Sequence, residues 1–92
     1  MSLIELTNNI EKNETYMIDL YDTNTVLHVV CMNKAIFACD MKIIYMEKDN
    51  KINDEYNDSC ISYRYEWNFN KIHFKSFSYF DKCKIYKIIP SQ

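Results

Sequence analysis

Between Cys60 and Phe69 the chain reads CISYRYEWNF, with its large side chains on every second position. Ile61, Tyr63, Tyr65, Trp67 and Phe69 alternate with Cys60, Ser62, Arg64, Glu66 and Asn68. Successive side chains of an extended strand point to opposite faces, so a period of two describes a strand with one face buried. The odd-numbered rings are expected inside, with Ser62, Arg64 and Glu66 toward water. A helix would scatter the same residues around its circumference.

The same period recurs elsewhere. Tyr16, Ile18 and Leu20 alternate with Met17, Asp19 and Tyr21, and Asp22-Thr23-Asn24 follows as a turn. Val26 to Met32 is apolar on both faces and rich in branched residues, which suits a central strand. Asn33-Lys34 reads as a two-residue hairpin turn, and residues 35–48 as a further strand broken near Asp40, with a helix as the alternative because Ile36, Cys39/Asp40 and Ile43 would share a face. Residues 48–58, KDNKINDEYND, read as one polar loop. Around Asn68 to Lys71 the phase flips, so that Ile72 and Phe74 alternate with Lys71, His73 and Lys75, the mark of a hairpin. A turn near Tyr79-Phe80-Asp81 leads to a last strand over 82–89. Ahead of all these, Ser2-Leu3-Ile4-Glu5 matches a capping box, and Leu3, Leu6 and Ile10 share a helical face, predicting a helix over about 3–12. The fold class expected is α+β, mostly β. A short N-terminal helix packs on an antiparallel meander sheet or small barrel of about six strands, and residues 1–92 form a single domain.

Turn chemistry is where composition enters. The chain has no glycine and one proline, Pro90. Backbone that must adopt positive φ therefore has to use Asn or Asp. Loops that cradle phosphate through glycine are excluded, and dinucleotide or P-loop chemistry with them. The preponderance of Ile, Lys, Asn and Tyr is that of an AT-rich coding genome, as in low-GC bacteria, their phages and large DNA viruses.

Catalytic and metal-binding constellations are not apparent. His28 lies in an apolar strand as a core histidine, and His73 between lysines as a solvated one. Cys31, Cys39, Cys60 and Cys83 form no CxxC knuckle, so no metal site and no cofactor is expected. The protein reads as non-enzymatic, with free thiols in a reducing cytoplasm, without secretory signal or membrane helix.

Charge and aromatics point to a macromolecular partner. Residues 1–66 hold twelve acids against six bases, whereas 67–92 hold five lysines against one aspartate. Glu47, Asp49, Asp54, Glu55, Asp58 and Glu66 form an acidic face suited to a basic protein surface, although a total charge of −2 argues against pure phosphate mimicry. Eight tyrosines are more than a small core hides. Tyr21, Tyr45 and Tyr56, and also Tyr79, are expected to be exposed anchors of an interface. The leading expectation is a small virus- or phage-encoded inhibitor of a host defence protein that acts by steric and charge-complementary binding. One alternative is a single-stranded nucleic-acid binder using the 69–87 hairpin, with Lys71, His73, Lys75, Lys82, Lys84 and Lys87 tracking phosphate beside the rings. Another is a structural subunit of a homo-oligomer, a homodimer being the simplest case.

Overall fold

The computed structural model describes the backbone of residues 2–6, 10–20, 23–35, 38–66, 69–74, 79–80 and 83–89. It describes the side chains of 10–20, 23–35, 38–63 and 83–88. All regular structure among the described residues is strand. The elements are β1 (Ser2–Leu6), β2 (Thr15–Leu20), β3 (Thr25–Lys34), β4 (Ala38–Lys48), β5 (Lys51–Asn53), β6 (Cys60–Glu66), β7 (Phe69–Phe74), β8 (Tyr79–Phe80) and β9 (Lys84–Ile89). Six of them run for six residues or more and make up the body of the sheet.

Every pairing is antiparallel, in the order β1-β9-β2-β3-β4-β6-β7-β8, with β5 added to the end of β4. From β2 to β8 this is a meander, as the spacing predicts. β9 then returns to lie between β1 and β2. Only residues 81–83 join β8 to β9, and such a link spans at most about 14 Å between Phe80 and Lys84. Those strands stand six places apart in the ladder, about 29 Å in a flat sheet. The sheet therefore curls, bringing its two sides together, while its ladder remains open at β1 and β8 among the described residues.

Curling accounts for the core. Tyr16, Ile18, Leu27, Val29, Cys31, Met41, Ile43, Tyr63 and Ile85 each have 0% exposure, all on one face, without any helix among the described residues to cover them. The inner faces of neighbouring strands cover one another. Tyr16 is accommodated because its hydroxyl accepts the Glu11 N–H at 2.7 Å, which removes the cost of burying a bare oxygen.

The predicted N-terminal helix is overturned over its first half. Ser2–Leu6 is strand, with all five residues in register against Ile85–Ile89 of β9. An isolated ten-residue helix is marginal, and a capping box adds only about 1 kcal/mol, whereas a strand here completes a ladder. The remainder of the predicted span holds a turn at Lys12-Asn13. The hairpin predicted at Asn33-Lys34 exists, but its connection is two residues later. Asn33 and Lys34 pair with Asp40 and Cys39, and the Ala35 N–H reaches the Ala38 carbonyl at 2.7 Å. β4 runs unbroken through Asp40. Tyr79-Phe80, expected to be a turn, is the short strand β8 against β7.

Within β6, Ile61 and Tyr63 are buried, as the alternation requires. The side chains of Tyr65, Trp67 and Phe69 lie outside the described residues. The demand for Asn and Asp is met: positive φ occurs at Asn13, Asn24, Asp49, Asn50 and Asp58 among the described residues.

Candidate functional site

The surface most unlike the rest of the molecule begins with an irregularity in β4. His28 pairs with Tyr45 but Val29 pairs with Ile43, so Ile44 has no opposite number on β3. This bulge shifts the phase of the strand. Met41 and Ile43 point inward before it and Met46 after it, leaving Tyr45 and Glu47 on the outer face. There Tyr45 stacks on His28, with ring centroids 4.0 Å apart and planes 14° from parallel. His28 Nε2 lies 3.5 Å from a Glu47 carboxylate oxygen. Burial lowers the histidine pKa below its ordinary value, and the Glu47 charge and hydrogen bond oppose that shift.

β4 then runs beyond its β6 pairing into a second hairpin. Lys48 faces Lys51 across a two-residue turn, Asp49-Asn50, with φ of 52° and 65°. Two consecutive left-handed residues match the natural twist of a hairpin, and Asp and Asn bear that conformation better than other side chains. Residues 48–58 are thus not one loop, as the polar composition suggests, but a hairpin followed by a structured turn. The hairpin tip is tied to the β2–β3 connection. The Asp49 N–H donates to the Asn24 carbonyl at 3.1 Å, and the Asn24 amide donates to the Asp49 carboxylate at 3.2 Å.

After β5 the chain turns back along β4. The Glu55 N–H bonds to the Asn53 side-chain oxygen at 2.8 Å, and the Asn57 N–H to the Asp54 carbonyl at 3.2 Å. Asp58, with φ of 66°, donates its N–H to the Ile43 carbonyl, and Ile43 donates to the Ser59 carbonyl, each at 2.8 Å. These bonds occupy β4 between its β6 and β5 pairings. Tyr56 is half-buried against the core, pinning the turn from beneath.

The result is a firmly bonded projection. Asp49, Asp54, Glu55 and Asp58 are exposed on it, and Ile52 is 68% exposed, the highest value among the exposed large apolar residues described. Lys48, Asp49, Lys51, Ile52, Asn53 and Asp54 line an open depression of about 440 Å³. Asp58 forms an ion pair with Lys42 at 3.3 Å, and this exposed contact contributes about 0–1 kcal/mol. Over residues 47–58 there are five acids and two lysines, so the projection is acidic but not uniformly so.

Of the residues expected here, Glu47, Asp49, Asp54, Glu55, Tyr56, Asp58 and Tyr45 are brought onto or beside this projection. Tyr45 and Tyr56 are half-buried, which corrects the expectation of freely exposed rings: one stacks on His28 and the other packs on the core. Tyr21 and the side chain of Glu66 lie outside the described residues. Asn24, Lys48, Lys51 and Ile52 were not anticipated, although Asp49-Asn50 between two lysines is a legible hairpin turn.

The basic–aromatic tail is described only in part. Lys84 is exposed opposite Asp19, and Lys87 is half-buried opposite Tyr16. Lys71 and His73 sit in β7 opposite Arg64 and Ser62, but their side chains, with Lys75 and Lys82, lie outside the described residues. Among the described residues no group of three His, Cys, Asp or Glu could hold a metal ion, and no helix is long and apolar enough to cross a membrane. Comparison with protein-family models, with curated proteins and with solved structures finds no match to this chain.

Proposed function

We propose that this is a non-enzymatic binding protein that engages another protein through the β4–β5 projection. Ile52 would be the apolar anchor, and Asp49, Asp54, Glu55, Asp58 and Glu47 would complement a basic surface around it. The supporting observation is Ile52, 68% exposed on a hairpin whose β4 arm pairs with β3 and whose tip is bonded to the Asn24 carbonyl. A large apolar side chain in water gains by burial, and a pre-bonded hairpin loses little entropy when it docks. In its most specific form, the protein is a virus- or phage-encoded inhibitor of a host defence protein, acting in the host cytoplasm. The AT-rich composition supports that version.

The test is capture of partners from host extract by the tagged chain. One stoichiometric protein is expected, released by salt, and bound about tenfold or more weakly by Ile52→Asp and by an Asp54→Lys/Glu55→Lys/Asp58→Asn variant. Asn is chosen at 58 because the backbone there is left-handed. Capture unaffected by both variants would remove the projection from the mechanism. Tight, salt-sensitive binding of single-stranded oligonucleotides, equally unaffected, would favour the basic tail instead.

A further inference from the structure

Two of the four thiols meet inside the β3–β4 hairpin. Cys31 lies opposite Met41 and Cys39 opposite Lys34, and between them a bulge at Met32 takes up the odd residue of β3. Both cysteines therefore fall on the inner face near the closed end of the hairpin, with exposures of 0% and 1%. The Cys31 S–H reaches the Asn33 carbonyl at 3.7 Å, and the Cys39 side chain lies within hydrogen-bonding reach of the Cys31 sulfur, where it favours the protonated thiol. Seven residues separate them, and the hairpin already holds the ends together, so ring closure has little entropy left to lose.

The other two thiols are placed differently. Cys60 is exposed at the start of β6, opposite Lys42, and Cys83 is buried just ahead of β9. A buried cysteine by itself behaves as a small apolar side chain. Two in hydrogen-bonding contact on adjacent antiparallel strands are also the substrate of a bond.

We propose that Cys31 and Cys39 are a redox pair that closes to an intramolecular disulfide when the protein is exposed to a peroxide. One thiolate attacks the peroxide, becoming a sulfenic acid as one water leaves. The second sulfur attacks the sulfenic sulfur, forms the S–S bond and expels a second water. Two thiols lose two protons and two electrons, and the peroxide is reduced to two waters. Burial sets the pace. It pushes the Cys31 thiol up to about 11, with the Cys39 neighbour adding to the shift, so little thiolate exists in the closed hairpin. Oxidation proceeds through openings of the hairpin end and stands after the exposed Cys60 in time.

The experiment uses the full reduced chain and hydrogen peroxide. The count of thiols that form the pair should fall by two whether or not Cys60 is present: wild type and Cys60→Ser both lose Cys31 and Cys39. Trypsin cuts after Lys34, between the two cysteines, so the bond appears as residues 13–34 linked to residues 35–42 and vanishes on reduction. Cys39→Ser should abolish the linked peptide. If that variant fails to fold, the wild-type peptide map decides alone. Retention of both inner thiols, over-oxidation of either without a link, or links confined to Cys60 or Cys83 would each overturn the proposal.

Discussion

The two ends of β4 are parts of one strand governed by different physics. Around Met41 and Ile43 the strand is flanked by β3 and by β6 with the turn that precedes it, its inward side chains have 0% exposure, and each position is constrained by volume. From Met46 on it keeps β3 on one side but has only the three residues of β5 on the other, and it ends in a turn built on two left-handed residues. The first end can change little without cost to the fold. The second is held largely by backbone bonds, and Lys48, Lys51, Ile52 and Glu55 are exposed on it, placed to serve something outside the molecule. Sequence freedom and structural order coincide there, which is what a rigid docking element requires.

That contrast can be broken or sharpened by measurement. Ile43→Ala should give the largest effect, a loss of about 2–5 kcal/mol in urea unfolding, because the side chain is wholly buried and its removal leaves a cavity. Asn50→Val should cost about 1–2 kcal/mol through backbone strain alone, while Asn50→Gly should be neutral or stabilising. If Asn50→Val leaves the protein as stable as the parent, the tip is not held as described.

Between the two ends sits His28, whose folded pKa is lowered by burial. The unfolded chain then takes the proton more readily. This contribution to stability is complete above the ordinary value of 6.5 and declines as pH falls through it toward the lower folded value. Unfolding midpoints should drop across that window. In an NMR titration Glu47→Gln should lower the His28 pKa further, because the carboxylate is what favours the imidazolium. A rise in that variant would reverse the assigned sign. The smallest effect belongs to the projection: Asp54→Lys/Glu55→Lys/Asp58→Asn should change stability by no more than about 0.5 kcal/mol. A larger loss would show that these charges support the fold.

How much of this could be read in advance varies along the chain. β2 and β3 were legible because Tyr16, Ile18 and Leu20 alternate and Val26–Met32 is apolar on both faces. Ile61 and Tyr63 followed from the same period. Ser2–Leu6 misled because its local signals favour a helix, whereas its partner, β9, lies more than 75 residues away in sequence. The β4–β5 hairpin was hidden inside polar composition, since a three-residue strand has too little periodicity to announce itself. The bulge at Ile44, which aims Tyr45 at His28, left no mark in a run where nearly every residue is apolar or aromatic.

From its residues alone this chain was committed to sheet with one face buried, with Asn and Asp at its left-handed turns, because period-two burial and the lack of glycine leave few other solutions. Tertiary structure decided the return of β9 beside β2, the curl this imposes, the meeting of Cys31 with Cys39 and the projection of Ile52. Each of those depends on pairing between segments whose local sequences do not specify one another, and the gain appears only when the strands come together.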